Sequence, residues 1–284
     1  MTQKIIALVD GSIYSHSVCA HAAWIATRTG AAIEVLHVLG RRESTEASDL
    51  SGSIALGARS ALLAELTALD EQRAKLQQQR GRAILEDAKA VIAEAGIDNV
   101  TTRLRIGDIV ETVAESEATA DMLVIGKRGE AADFARLHLG SNIERIVRSS
   151  HKPVFVTARA FRPIERFLIA YDGGASSIKA VDHIAHSPLF QGLECHLLMA
   201  GASTPDLRRK LDDACAPLTA AGYEVKAFVA EMAPETAIAE HVAAQQIGLV
   251  VMGAYGHSRI RSLIIGSTTT EMIRSCKVPV VLFR

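Results

Sequence analysis

The stretch LVVMGAYGHSRIRSLIIGSTTT, Leu249 to Thr270, decides how the rest of the chain is read. Leu249 to Met252 is a continuous apolar run too short for a helix, which predicts a strand buried on both faces. Gly253 and Gly256 follow. Lacking a Cβ, they are expected to turn with positive φ and let a ligand approach the backbone. Gly266-Ser267-Thr268 then precedes the apolar pair Met272 and Ile273, in the manner of a helix N-terminus with a hydroxyl cap. Free N–H groups and the positive end of a helix dipole beside a glycine-lined loop suit a phosphate. Glycine after a strand is also ordinary turn punctuation, so this stretch alone leaves both readings open.

A second copy strengthens the first reading. Leu123 to Asn142 reads LVIGKRGEAADFARLHLGSN, with Gly126, Gly129, Gly140 and Ser141 in the same order. Both copies continue alike: Ile146-Val147-Arg148-Ser149 through Pro153-Val154 matches Met272-Ile273-Arg274-Ser275 through Pro279-Val280. The chain is therefore one unit duplicated.

Composition bounds what that unit can be. The chain has 284 residues, 49% apolar and 22% charged, with a formal net charge of −1. Two domains of such a length are each large enough to bury a core. The neutral balance, without basic runs interleaved with aromatics, argues against nucleic acid as the main partner. The early apolar run Ile5 to Val9 ends at Asp10, too soon for a signal peptide or a membrane span, so a soluble cytoplasmic protein is expected. Cys19, Cys195, Cys215 and Cys276 have no metal or disulfide spacing and are expected as reduced, mostly buried thiols.

Taken in order, Ile5 to Val9 is a predicted strand closed by Asp10-Gly11-Ser12. Its counterpart, Phe167 to Tyr171, is closed by Asp172-Gly173-Gly174. Helices follow over Ser15 to Thr29, stopped by Gly30, and over Ser176 to about Ser187, before Pro188. Second strands are predicted over Ile33 to Leu39 and Glu194 to Ala200, and third strands over Thr101 to Ile106 and Glu224 to Ala230. Acidic helices over Ile109 to Ala118 and Glu235 to Gln245 lead into the fourth strands. The fifth strands are Val154 to Ala158 and Val280 to Phe283, with a linker over Arg159 to Glu165. Strand-helix-strand repetition of this kind implies right-handed crossovers and parallel sheets, a doubly wound α/β fold in each half.

The halves differ between Gly40 and Gly96, where the first carries about 35 more residues, from 116 positions between Asp10 and Gly126 against 81 between Asp172 and Gly253. This insertion, about 41–95, is expected to be mostly one helix. Leu62, Leu66, Leu69, Leu76, Ile84 and Val91 fall mainly at intervals of three, four or seven. One reading packs that stripe on its own domain; the other makes its overhanging part a surface for a protein partner or a second copy. The second half has instead a shorter helix opened by Ser203-Thr204-Pro205-Asp206 and ending near Gly222.

The spacing Gly-x2-Gly-x9-Gly-Ser at Gly253, Gly256, Gly266 and Ser267 is similar to the nucleotide-binding motif of the universal stress protein family. The whole chain resembles a tandem member, with domains over 1–158 and 159–284. The first copy departs from the motif, with ten positions between Gly129 and Gly140, and it carries Glu130 and Asp133 where phosphate would lie. The second half is accordingly expected to be the better site. The resemblance implies a five-stranded, mainly parallel, Rossmann-like sheet of order 3-2-1-4-5, with the ligand at the switch point between strands one and four. It implies ATP, alone or with Mg²⁺, in a stress-response or signalling module, and it also covers non-nucleotide scaffold members. Carried over, it places the nucleotide against Asp172, the backbone near Met199, Gly253, Gly256, Gly266, Ser267 and Thr268. In the first half the matches are Asp10, Val38, Gly126, Gly129, Gly140, Ser141 and Asn142. Single-domain relatives dimerise through their last strands, so the two fifth strands are expected to pair within this chain.

Other residues carry weaker signals. Asp10 and Asp172 are equally suited to capping the turn that follows them. Lys127 and Arg128 in one loop, and His257, Arg259 and Arg261 in the other, are read as solvated before they are read as phosphate contacts. His183 and His186 have helical spacing but no third metal ligand. Arg148 and Arg274 are read as structural. A slow ATPase is the weakest reading, because no general base is duplicated and no Walker Lys-Ser/Thr pair follows a glycine loop.

Overall fold

The computed structural model describes residues 3–40, 56–127, 141–254 and 266–284. The first half contributes β1 (Lys4–Leu8), α1 (Ser15–Thr29), β2 (Ala32–Gly40), α2 (Leu56–Glu94), β3 (Val100–Gly107), α3 (Ile109–Glu117), β4 (Met122–Gly126), α4 (Ser141–Ser149) and β5 (Val154–Thr157). The second contributes β6 (Arg166–Ala170), α5 (Ala175–His186), a 3-10 turn at Pro188–Phe190, β7 (Glu194–Ala200), α6 (Pro205–Ala220), β8 (Val225–Ala230), α7 (Pro234–Ala244), β9 (Leu249–Gly253), α8 (Ser267–Ser275) and β10 (Val280–Phe283). Local chemistry sets these limits. Gly30 closes α1 in the left-handed region, at φ 69°, donating its N–H to the Ala26 carbonyl. Thr204 opens α6 by accepting from the Leu207 N–H, with Pro205 in the first turn, where no N–H is needed.

The ten strands of the described residues form one sheet, in the order β3-β2-β1-β4-β5-β10-β9-β6-β7-β8. Each half thus has the expected order 3-2-1-4-5. Pairing is parallel throughout except at the centre, where β5 and β10 run antiparallel with Val156 opposite Val280 and Val154 opposite Leu282. The expected pairing of the fifth strands is therefore the seam of the molecule. Because that pair is antiparallel, the carboxyl ends of the two parallel sets point in opposite directions.

Alternation along the strands sends side chains to two apolar layers. One layer holds Ile5, Ala7, Phe155, Phe167, Ile169 and Val281 against α1, α2, α5 and α6. The other holds Ile6, Val154, Leu168, Val250 and Val280 against α3, α4, α7 and α8. Each layer runs unbroken across the seam, so neither half packs a core of its own alone. Polar ties cross the seam: Lys127 Nζ donates to the Cys276 carbonyl at 2.6 Å, and Arg284 to the Arg148 carbonyl at 2.9 Å. Arg28 reaches from α1 to the carbonyls of Leu189 and Gln191 in the other half. Lys127, read from sequence as solvated or phosphate-bound, is instead a cross-seam tether.

The outer edges of the sheet, β3 and β8, carry Arg103, Arg105 and Lys226, charges that discourage further strand addition. At the seam the edge of β5 carries instead the apolar run Val154, Phe155 and Val156, which β10 covers. A fragment of residues 1–160 is expected to self-associate through this bare apolar edge. A monodisperse monomer in sedimentation velocity at high concentration would contradict it.

Within the insertion α2 covers Leu56–Glu94, residues 41–55 lying outside the described residues, and the stripe is divided. Ile84 and Val91 pack on the first apolar layer, with Leu85, Ala88 and Ile92 fully buried beside them. At Gly81 the helix meets the sheet so closely that a Cβ would lie 2.8 Å from Leu104 Cδ1. N-terminal to that point the stripe leaves the domain: Leu62, Leu66, Leu69 and Leu76 are 37%, 45%, 55% and 59% exposed.

Candidate functional site

At the carboxyl ends of β6 and β9 the helices depart to opposite faces, α5 to one and α8 to the other, leaving a crevice. It forms a cavity of about 300 Å³, at the small end of the usual ligand range. Asp172, Gly253, Gly266, Ser267 and Thr268 line it, five of the residues singled out from sequence in this half. Gly256 lies outside the described residues, as do Gly129, Gly140 and the loop cations Arg128, His257, Arg259 and Arg261.

Two local details differ from expectation. Gly266, not a hydroxyl residue, caps α8, and no side chain caps its first turn. The N–H groups there are left to whatever occupies the crevice. One hydroxyl of this turn is directed elsewhere: Thr269 Oγ1 donates towards the carbonyls of Gly253 and Ala254, at 3.2 and 3.3 Å, fixing the helix start against the end of β9. Gly253 itself keeps out of the left-handed region that a turn would have required. Its need is space, since a Cβ there would stand 2.9 Å from Ser176 Cβ on α5.

Asp172 takes the capping role and also lines the cavity. Its Oδ1 accepts from the Gly174 N–H at 2.8 Å and the Ser177 hydroxyl at 2.7 Å, which holds the turn into α5, while the residue faces the cavity. Asp10 repeats the capping half of this, its Oδ1 accepting from the Ser12 N–H at 3.0 Å and the Ser15 hydroxyl at 3.3 Å. Nearby Tyr171 has its phenol pushed up, by burial first and then by the charge of Asp172.

Strand register corrects one assignment between the halves. Leu8 pairs with Leu36 and Ala170 with Leu198, so Val38 corresponds to Ala200 and Met199 to His37. Leu198 and Ala200 line the cavity, whereas the Met199 side chain is buried in the opposite apolar layer. Only the backbone of Met199 lies along the crevice, between those two lining residues. In the first half, Asp10, Val38 and Gly126 gather at the ends of β1, β2 and β4, with Ser141 and Asn142 at the start of α4.

Pro234 and Ile238 on α7 form the remaining wall, with Met252 and Ala170 from the strands. From sequence that helix is expected only as acidic. The spacing of Pro234 and Ile238, one turn apart on the first turns of a helix that follows a strand, was the available signal. Beneath this wall His196 is buried, its Nε2 2.7 Å from Glu194 and its Nδ1 2.8 Å from His241 Nε2, with Phe228 stacked on it. Lys226, then His196, hold the Glu194 carboxyl down to about 2. Burial, and secondarily His196, lowers the His241 imidazole.

His183 lies on the Phe283 ring, with centroids 5.1 Å apart, and His186 bonds the Asp182 carbonyl. Among the described residues no cluster of three His, Cys, Asp or Glu side chains is placed to hold a metal. Burial raises the thiols of Cys19 and Cys195 to about 12, which leaves them unreactive. No described helix is long and apolar enough to cross a membrane.

The sequence profile of the universal stress protein family matches residues 1–158 and again 163–284. The universal stress protein Slr1230 of Synechocystis sp. is 37% identical over 286 aligned residues, covering 99% of this chain and all of the relative. A universal stress protein of Mycolicibacterium smegmatis is 23% identical over 73% of this chain and 78% of its own length. Among crystal structures, a universal stress protein from Archaeoglobus fulgidus superposes with a TM-score of 0.69 at 21% identity, covering 99% of this chain and 98% of that one, a likeness of fold.

Proposed function

Since the chain belongs to the universal stress protein family, matched in both halves and across its length, we propose that its second half binds an adenine nucleotide and that the bound state decides which partner the protein meets. The observation that carries this reading is the juxtaposition of one apolar slot with one uncapped helix start. Leu198, Ala200, Pro234, Ile238 and Met252 offer a base an apolar surround. Gly253, Gly266, Ser267 and Thr268 offer phosphate oxygens backbone N–H groups and the positive end of α8. Asp172, fixed by Gly174 and Ser177, stands between as an acceptor for a sugar hydroxyl. ATP is the nucleotide proposed. Mg²⁺, where present, would be bound chiefly through its phosphates, because the described residues bring no acidic cluster to the site.

The test is calorimetric titration of nucleotide-stripped protein with ATP, with and without Mg²⁺. Binding near one equivalent is expected, with a rise in melting temperature. Thr268→Glu sets a carboxylate where the phosphates would lie, yet favours the helix dipole, so the fold is expected to stay intact. Affinity should fall about tenfold or more, since such a repulsion is worth on the order of 1–2 kcal/mol at a partly exposed site. No heat and no thermal shift at millimolar ATP would remove the reading. Unchanged affinity in Thr268→Glu would move the phosphates away from α8.

A further inference from the structure

The N-terminal part of α2 turns a leucine stripe to solvent. Leu62, Leu66, Leu69 and Leu76 are exposed at successive steps of four, three and seven. That is the spacing of a coiled-coil seam, with Arg73 at the omitted position. The seam stands clear of the sheet, which the helix reaches only near Gly81. Measured from Leu62 to Gly81 it is about 28 Å long, at 1.5 Å per residue.

Charge along this overhang is sorted. Glu65, Asp70 and Glu71 are the only charged residues from Leu62 to Gln72, and Arg73, Lys75, Arg80 and Arg82 the only ones from Arg73 to Ala83. A helix acidic at one end and basic at the other complements itself when reversed. An antiparallel copy centred near Glu71 brings Glu65 of each helix within about one turn of Lys75 and Arg80 of the other, and sets Leu66 of each against Leu76 of the other. A parallel copy would set like charges side by side. From the exposed leucines and this sorting, we propose that α2 docks on α2 of a second copy of the chain, antiparallel, about a two-fold axis near Glu71. The contact is isologous and therefore closes as a dimer. The preceding residues 41–55 are a poorer occupant, because beyond their alanines they offer only Leu50 and Ile54 as apolar side chains. Self-docking is independent of the seam between β5 and β10, which is already satisfied within one chain.

Sedimentation equilibrium of the full chain tests this. A mass twice 30.4 kDa is expected at micromolar concentration, with dissociation promoted by high salt. Leu69→Glu with Leu76→Glu is expected to give a monomer whose circular dichroism and melting are those of the parent, because both side chains are solvent-facing. Two further variants test orientation. Glu65→Lys/Asp70→Lys/Glu71→Lys and Arg73→Glu/Lys75→Glu/Arg82→Glu should each be monomeric alone and should associate when mixed. Combining all six changes reverses the sorting and should restore the dimer. A monomeric parent, a dimer unaffected by the leucine changes, or a six-fold variant that stays monomeric would each overturn the proposal.

Discussion

Phe155→Ala is expected to destabilise the whole molecule by about 3–5 kcal/mol, the usual range for emptying a fully buried aromatic site. Phe155 has no exposed surface and lies on β5, opposite Val281 of β10. Its ring packs 5.4 Å from His21 and 6.5 Å from Trp24, both on α1. The side chain therefore fills the point where the first apolar layer crosses from one half to the other. The chain's single tryptophan sits beside the site, with Arg28 5.5 Å over its ring, and the same Arg28 holds the Leu189 carbonyl of the second half. Its fluorescence is a local reporter in urea unfolding. The variant should unfold at lower urea with both halves affected, as read by tryptophan fluorescence and circular dichroism together. A loss below about 1 kcal/mol would mean that the layer can collapse around the gap, against the close packing assumed here.

His21 supplies the second large effect, this time in pH. It is fully buried between Phe155 and Phe161, and its Nδ1–H donates to the Ser17 carbonyl at 2.7 Å. Nε2 has no hydrogen-bond partner, so a proton added there gains nothing to offset its burial. Burial pulls the imidazole down to about 4 from its ordinary value of 6.5, against a smaller upward pull from the Ser17 carbonyl. The folded state thus keeps His21 neutral while the unfolded chain takes up a proton below about pH 6.5. Stability from this residue is complete above that pH and is lost as pH falls towards 4. The full loss is about 3 kcal/mol for a shift of this size. His21→Leu is expected to abolish that part of the acid sensitivity, measured as the change in unfolding free energy between pH 7 and pH 4. An unaltered pH dependence in the variant would place the acid sensitivity on other groups.

The fold was legible because duplicated punctuation marks it. Gly30 and Thr204-Pro205 act through local backbone chemistry that a single chain displays. Residues whose reasons are tertiary were read less well. Gly253 looked like a turn glycine and is instead a strand residue kept small by Ser176 on a helix distant in sequence. Met199 and Val38 came over from the resemblance as counterparts, but pairing with the first strand of each half sets the register, and it is off by one between them. Ile238 escaped notice because a wall residue is ordinary helix sequence until the crevice opposite it is known. Lys127 could not be assigned from sequence, since its acceptor, the Cys276 carbonyl, belongs to the other copy of the unit.

The antiparallel seam has a consequence in mass action. Two separate subunits joined by their last strands would come apart on dilution, whereas halves joined by one short linker see each other at an effective concentration fixed by the tether. The pairing of β5 with β10 is thereby removed from any dependence on how much protein is made. Fusion also lifts the demand, inherent in an identical pair, that every change appear twice. One half was thus able to lengthen α2 while the other kept the short α6, and one glycine loop to gain a residue and two acidic side chains without imposing them on its twin.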